Sequence, residues 1–229
     1  MTARHTTLGG ASVVRPTRPI LSRERICTAA LTIVDDEGLA ELSMRKLARS
    51  LGVQVSSLYE HVKTKDDVLH EVANTIMASV DVSGFETGDW RHGVASWARS
   101  YRAALAAHPN IVPFLAYGPA HRDASLQRAN TVHGGLVAGG WPPRYATMIG
   151  ASTKYLVVGA AMSSFAGGFD DDIQVYMGRY PHLAGAHRLR EHADNIDPDS
   201  FELALDMFLD GLTALHARIA APAEDPGES

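Results

Sequence analysis

Cysteine is nearly absent from this chain, since Cys27 is the only one among 229 residues. A single thiol excludes an internal disulfide framework and fits a reducing compartment. No apolar run of the signal-peptide type follows residues 1–4. The sequence therefore predicts a cytoplasmic protein in which Cys27 is a packed small residue.

A long, uninterrupted hydrophobic run is lacking as well. Residues 143–165 are apolar enough to suggest a membrane span, but Lys154 falls at their centre. A charge at that depth would cost about 3 kcal/mol on insertion scales. Arg144 and several hydroxyl residues lower the apolarity further. We therefore predict no membrane span here, and expect instead a helix that packs against other helices.

Catalytic and metal-binding motifs are also missing. The chain has no nucleophile–base–orienter spacing, no phosphate loop and no complete set of metal ligands. The nearest polar pair, His121 with Asp123, is better explained as a surface pair. The sequence predicts no enzymatic activity, no cofactor and no metal, with an all-helical enzyme left as a minor alternative.

Basic residues show no overall excess, and the formal net charge is −5. The charge is unevenly divided, however. Residues 1–70 hold ten Lys or Arg and eight Asp or Glu, a net +2, and the remainder carries −7. A mildly basic N-terminal part on an acidic remainder would orient the former toward nucleic acid. An acidic remainder that simply favours solubility is the alternative.

What is present is a helix–turn–helix pattern in residues 43–65, SMRKLARSLGVQVSSLYEHVKTK. Ser43 can cap a helix that runs to about Leu51, and Gly52 supplies the backbone freedom of a tight turn. A second helix is predicted from about Val55 to Val62. It would expose its hydroxyl side chains, as a helix entering the DNA major groove does.

An ordinary helical hairpin would show the same spacing, so the chemistry of the exposed residues decides. Lys and Arg provide the salt-dependent attraction to phosphate that dominates DNA affinity. Hydroxyl groups add hydrogen bonds to phosphates and base edges. Six basic or imidazole side chains crowd this element: Arg45, Lys46, Arg49, His61, Lys63 and Lys65. The pattern favours DNA binding.

The remaining segments predict an all-α protein with few or no strands. Residues 1–20 are expected to form a flexible basic arm, either a solvated tail or an arm that tracks the minor groove. A helix capped by Ser22 and stopped by Gly38 completes a three-helix DNA-binding head over residues 21–66. Residues 67–220 are expected to form a helical body, and residues 221–229 a flexible tail. The last helix, about Asp199 to Ile219, has a broad apolar face. With the 143–165 helix it is expected to form a four-helix dimer interface, with packing inside one monomer as the alternative.

The sequence resembles the TetR (tetracycline repressor) family of bacterial regulators. The resemblance rests on LSMRKLARSLGV, SSLYEHVKTKDDVL and, in the body, WARSYRAALAAHP, RYPHL and FELALDMFLDGL. It implies an all-α homodimer whose two heads bind a palindromic double-stranded DNA operator. It further implies a small-molecule effector that binds the body and releases the DNA. A C-terminal domain of the tetracycline-repressor type is expected.

The resemblance also implies roles for individual residues. Arg45 matches a base-contacting arginine, and Val55, Ser56 and Ser57 are expected to face bases. Glu60 stands where relatives usually carry an aromatic residue. Its carboxylate would repel phosphates unless it accepts from a cytosine or pairs with Lys63. Four positions match phosphate contacts: Ser43, Tyr59, His61 and Lys65.

In the body, Trp97, Leu115 and Gly118 stand where tetracycline-binding members keep polar drug- and metal-binding groups. We therefore expect no magnesium–tetracycline site, and instead a pocket for a hydrophobic or aromatic ligand. The expected lining is Trp97, Tyr101, Phe114, Met148, Tyr155 and Met162.

The sequence thus predicts a ligand-responsive transcriptional repressor. A DNA-binding accessory protein controlled by a protein partner is the alternative, and in that case side chains would fill the pocket.

Overall fold

The described part of the chain, residues 21–116, 123–162 and 164–221 of a computed structural model, contains helices and no β-strand. This confirms the predicted all-α class. Short 3₁₀ turns connect the helices, most of them between residues 166 and 192. The helices are α1 (Arg23–Glu37), α2 (Met44–Leu51), α3 (Val55–Tyr59), α4 (Lys65–Ala78), α5 (Trp90–Ala106), α6 (Val112–Ala116), α7 (Asp123–Ala138), α8 (Pro143–Met162) and α9 (Ala193–Ala220).

Helices α1 to α3 form a small head around a shared apolar core. The Ser22 hydroxyl accepts from the Arg25 N–H at 3.2 Å and caps α1, and Gly38, with φ +94°, ends it. These are the predicted start and stop signals. The core consists of fully buried side chains from all three helices, namely Ile26, Ala30, Val34, Leu47 and Leu58.

Helix α4 connects this head to the rest of the molecule. Thr64 and Asp67 form a capping box: the Asp67 N–H donates to the Thr64 hydroxyl at 3.0 Å, and the Thr64 N–H donates to the Asp67 carboxylate at 2.9 Å. Helix α4 packs against α1, and farther along against α5 and α7. The predicted boundary between residues 66 and 67 therefore falls inside a helix that both parts share.

The body is a bundle in which α5 packs against α7, α8 and α9. Two glycines permit a close approach. The Phe85 ring lies where a Cβ on Gly93 of α5 or on Gly135 of α7 would stand. Ion pairs fasten α5 to α9, with Arg99 against Glu202 at 2.7 Å and Arg91 against Asp210 at 2.7 Å.

Two side chains in the turn just before α6 join the body to the head. The Asn110 amide donates to the carbonyls of Val34 at 3.0 Å and Asp35 at 2.9 Å, in the last turn of α1. The His108 ring nitrogen lies 2.9 Å from the Asp35 carboxylate. Since both contacts hold the C-terminal end of α1, the head is attached to the body through α1 as well as through α4.

The last helix begins earlier than predicted. Helix α9 starts at Ala193 and contains Pro198, although the sequence suggested a start near Asp199. Proline favours the first positions of a helix because it lacks a backbone N–H, yet Pro198 lies inside α9, five residues after its start at Ala193. No helix in the described ranges is long and apolar enough to cross a membrane. The predicted arm of residues 1–20 and nearly all of the predicted tail lie outside the described residues.

Candidate nucleic-acid interface and ligand cavity

The turn between α2 and α3 has the geometry that the helix–turn–helix pattern predicts. The Ser43 hydroxyl accepts from the Lys46 N–H at 3.2 Å and caps α2. Gly52 adopts the left-handed conformation with φ +68°, and the Val53 N–H reaches back to the Ala48 carbonyl at 3.0 Å. This is a Schellman C-cap, which fixes the direction in which the chain leaves α2 and enters α3.

Helix α3 exposes the side chains expected to meet DNA. Ser56 and Tyr59 are exposed, Val55 and Ser57 are half-buried, and Leu58 is fully buried against the head. The helix ends at Tyr59, not at Val62 as predicted. Because one buried residue anchors it, the short helix presents most of its surface outward.

Two arginines on α2 provide the exposed positive charge beside α3. Arg45 and Arg49 are exposed, and neither forms an ion pair with any residue that the structure describes. Lys46 differs, because its ammonium group is paired with Glu37 and Glu41, and the hydrogen bond to Glu37 raises the pKa of Lys46. The basic residues of this element are therefore not equivalent, and Arg45 and Arg49 are better placed for DNA than Lys46.

The four residues expected to contact phosphates differ in exposure and in hydrogen bonding. Ser43 and Tyr59 are exposed, and His61 is half-buried. The Lys65 ammonium donates to the carbonyl of Leu39, in the turn after α1, at 3.1 Å. That bond uses one of its three N–H groups, so two can still reach a phosphate.

Glu60 is an exposed carboxylate at the end of α3. In the described part of the chain it forms no ion pair with the Lys63 ammonium group. Of the two alternatives from the sequence, the pairing with Lys63 is absent from the structure.

The body contains a cavity of about 590 Å³ between α4, α5, α7 and α8. Three of the residues expected in the pocket line it, namely Trp97 and Tyr101 from α5 and Tyr155 from α8. The Trp97 and Tyr101 rings are stacked, with centroids 6.3 Å apart and planes at 19°. The cavity is within the range of drug-sized ligand sites.

The other three expected pocket residues lie elsewhere. Phe114 packs on the His70 ring at 5.1 Å, beside α4. Met148 and Met162 are about half exposed on the outer side of α8. They lie seven residues to either side of Tyr155, so all three share one helix face. The sequence of an apolar helix face does not show whether that face will line a cavity or lie on the outer surface. For this reason the sequence did not separate Tyr155 from the two methionines.

Polar side chains complete the lining, and the sequence did not reveal them. Arg128 donates to the Met77 carbonyl in the last turn of α4, and Lys154 donates to the Ala116 carbonyl at 3.2 Å. Both line the cavity, with His133 and Ser125 nearby. Lys154 was conspicuous as a charge in an apolar segment, which was the available signal. Nothing distinguished Arg128 from a surface arginine.

Comparison with known protein families agrees with this arrangement. Residues 26–72, which hold the helix–turn–helix, match the family described as "Bacterial regulatory proteins, tetR family". Residues 85–216 match "Tetracyclin repressor-like, C-terminal domain". The chain belongs to the TetR family of bacterial transcriptional regulators. Proteins of this family bind DNA operators and small-molecule ligands and are generally not enzymes.

Two curated relatives are similar over most of the chain. The HTH-type transcriptional repressor DrrR1 of Streptomyces coeruleorubidus is 32% identical over 232 residues, covering 89% of this chain and 83% of the relative. An HTH-type transcriptional regulator of Saccharopolyspora erythraea is 28% identical over 179 residues, covering 74% and 76%. These names place the TetR-family chain among transcriptional regulators and repressors.

A solved structure shows the same fold with a ligand. ActR from Streptomyces coelicolor, in complex with actinorhodin, is 29% identical and has a TM-score of 0.69. The match covers 85% of this chain and 96% of ActR. A TetR-family relative of this fold therefore binds a small molecule, which supports a ligand-responsive repressor.

Proposed function

We propose that this TetR-family protein represses transcription in the bacterial cytoplasm by binding a palindromic operator as a homodimer. A small aromatic ligand in the body cavity releases it from the DNA. The observation that carries the proposal is the connection between the two sites. One helix, α4, begins at the DNA-binding head and ends at the cavity wall with Met77.

In the DNA complex, α3 enters the major groove and Arg45 contacts a base edge. An arginine fork matches the O6 and N7 acceptors of guanine, and Arg45 is exposed without a competing carboxylate in the described residues. Val55, Ser56 and Ser57 face bases from the start of α3. The phosphate contacts come from Ser43, Tyr59, His61 and Lys65, which fix the register of the head without selecting sequence.

The dimer forms through α8 and α9. Large apolar side chains lie outward on both helices, and monomeric proteins rarely expose such a group together. Leu203 is 63% and Met207 67% exposed on α9, while Met162 is 51% exposed on α8. Pairing with a second copy would cover them in a four-helix interface. Two heads held in this way can occupy successive major grooves when they lie about 34–36 Å apart.

The ligand acts by changing the equilibrium between two spacings of the heads. A ligand shifts such an equilibrium only by its difference in affinity for the two states. Arg128 and Met77 both line the cavity, and the bond between them holds the end of α4. A ligand that displaces this bond would allow α4, and the head at its other end, to move. A coupling of about 3 kcal/mol would weaken DNA binding roughly 150-fold.

The cavity favours a small molecule over a protein partner as the effector. A body built only to recruit another protein would fill its interior with side chains, whereas about 590 Å³ is open here.

The test is binding to the DNA upstream of the protein's own gene, measured by fluorescence anisotropy across a range of salt concentrations. We expect saturable binding to a palindrome, with affinity falling steeply as salt rises. Arg45→Ala should cost about 1–3 kcal/mol on the preferred sequence and relax selection at one base position. Binding that ignores sequence or salt would contradict the proposal.

Arg188→Ala is the matched control for the loss of one positive charge. Arg188 is exposed and lies in the 3₁₀ turn Ala186–Arg188 of the body, outside the helices of the head. Its replacement should leave operator affinity within about twofold of wild type, as expected for a distant surface substitution.

A further inference from the structure

We propose that Glu60 selects a cytosine in the operator and is therefore a specificity-determining residue of the head. The proposal rests on the proposed function, because it names one base that the head reads. It is drawn from the exposure of the Glu60 carboxylate, from its position relative to the buried anchor of α3, and from the hydrogen-bonding groups of the major groove.

Glu60 continues the helical path of α3. The helix ends at Tyr59, but Glu60 still has helical backbone angles, with φ −70° and ψ −24°. Successive side chains therefore remain about 100° apart around the helix axis. Ser56 and Glu60 are four residues apart and share one face, on which both are exposed. Leu58 lies two residues from each, on the opposite side, and is fully buried in the head. The face that carries Glu60 is therefore turned away from the head core.

The Glu60 carboxylate is available to a partner outside the protein. It forms no ion pair or hydrogen bond with any residue that the structure describes. Two other acidic residues of the head differ, because Glu37 and Glu41 are both paired with Lys46. No group of the described head therefore competes with DNA for Glu60.

The phosphate backbone is the wrong partner for this side chain. Duplex DNA carries one negative charge per about 1.7 Å of its axis, which repels a carboxylate. The chain neighbours of Glu60 are Tyr59 and His61, the two positions proposed to contact phosphates, and they lie to either side of it around the helix. Glu60 lies between them, on the face that meets the base edges when α3 enters the groove. Its partner is therefore a base.

The base edges decide which partner fits. A carboxylate only accepts hydrogen bonds, so it needs a donor. In the major groove, guanine presents the acceptors N7 and O6, and thymine presents the acceptor O4 and a methyl group. Cytosine presents the N4 amino donor, and adenine presents its N6 amino donor beside the acceptor N7. Since N7 repels the second carboxylate oxygen, cytosine fits Glu60 best.

The experiment measures the base preferences of the full-length protein on its operator. Each base pair of the half-site is changed in turn, in both half-sites, and affinity is measured by fluorescence anisotropy. We expect one position at which cytosine is preferred over guanine and thymine about tenfold or more. Glu60→Ala should reduce that preference to within about threefold and preserve the others. Unchanged preferences at every position overturn the proposal, as does a loss at a position occupied by another base.

Two further changes test the hydrogen bond itself. Glu60→Gln keeps the shape of the side chain and adds an amide donor, which suits N6 and N7 of adenine, so the preference at this position should move toward adenine. In the DNA, N4-methylcytosine still pairs with guanine but carries a methyl group in place of the N4–H that faces the groove. It should weaken wild-type binding about tenfold and Glu60→Ala binding less than about threefold. Equal losses in both proteins would overturn a direct contact.

Asp36→Ala is the matched control for the loss of one negative charge from the head. Asp36 is an exposed carboxylate in the last turn of α1, and it forms no ion pair with a described residue. Its neighbour Asp35 is bonded to Asn110 of the body, so this end of α1 faces the body. Asp36→Ala should keep every base preference. A loss of the cytosine preference in this variant as well would show a general effect of charge and overturn the role of Glu60.

The wild-type measurements separate this proposal from the proposed function. If the wild-type protein binds a palindrome and Glu60→Ala keeps all of its preferences, the role of Glu60 is wrong and the repressor stands. If the wild-type protein binds every sequence alike, the repressor itself is wrong, and the selection of cytosine falls with it.

Discussion

Replacing Gly135 with alanine tests how tightly α5 and α7 pack around Phe85. An added Cβ at Gly135 would lie 2.6 to 2.9 Å from three Phe85 carbon atoms, well inside the usual 3.5–4.0 Å contact distance. The Phe85 ring cannot readily withdraw toward α5, because it lies equally close to the Cβ position of Gly93. Overpacking of this kind costs about 1–3 kcal/mol, partly offset by the gain of about 1 kcal/mol from placing alanine in a helix.

Gly134→Ala is the control, since an added Cβ on this neighbouring residue of α7 meets nothing within 4 Å. It should raise the free energy of unfolding by about 0.5–1 kcal/mol through helix propensity alone. The two variants should therefore differ by about 1–3 kcal/mol. In a chain of this length, 1 kcal/mol corresponds to about 2–4 °C. Thermal unfolding followed by circular dichroism should show Gly135→Ala melting at least about 2 °C below Gly134→Ala. Equal melting temperatures would refute the packing around Phe85.

Three further predictions concern the head and its attachment. Asn110→Ala should lower the free energy of unfolding by about 1–2 kcal/mol in urea unfolding, because it removes two bonds to the last turn of α1; an unchanged midpoint would contradict that attachment. Thr64→Ala removes half of the capping box, so it should lower the free energy of unfolding by about 1 kcal/mol and speed amide exchange in the first turn of α4. Exchange as slow as in wild type would argue against the cap. Burial, followed by the nearby Glu71 carboxylate, raises the pKa of Cys27, so at pH 8 its thiol should react with Ellman's reagent more slowly than in the urea-unfolded chain. As the pH rises, the reaction of the unfolded chain should accelerate first, and the reaction of the folded protein should accelerate only at a higher pH. Equal rates in both states would contradict a buried thiol.

The head was largely predictable because local signals determine it. Ser22, Ser43 and Gly52 act where the sequence placed them, since caps and left-handed turns depend on residues close in the chain. The end of α3 was harder to predict from the sequence. Val62 continues the apolar spacing of Leu58 and is buried, yet the helix stops at Tyr59. Burial alone does not show whether a residue belongs to the helix or to the loop after it.

The cavity was only half predictable, for a different reason. Helical periodicity places Met148, Tyr155 and Met162 on one face of α8, but not the neighbour that this face meets. Tertiary packing decides that Tyr155 borders the cavity while both methionines lie outward. Arg128 is in the cavity wall because α7 crosses the end of α4, a contact between residues 51 positions apart. Local sequence patterns do not contain such information.

We propose that two paired heads contact DNA through α2 and α3. Hydroxyl-radical footprinting of the wild-type protein on the DNA upstream of its own gene tests it most directly. We predict two protected half-sites, related by a palindrome and centred about 10–10.5 base pairs apart or a multiple of that spacing. A single protected patch, or uniform protection along the fragment, would contradict it.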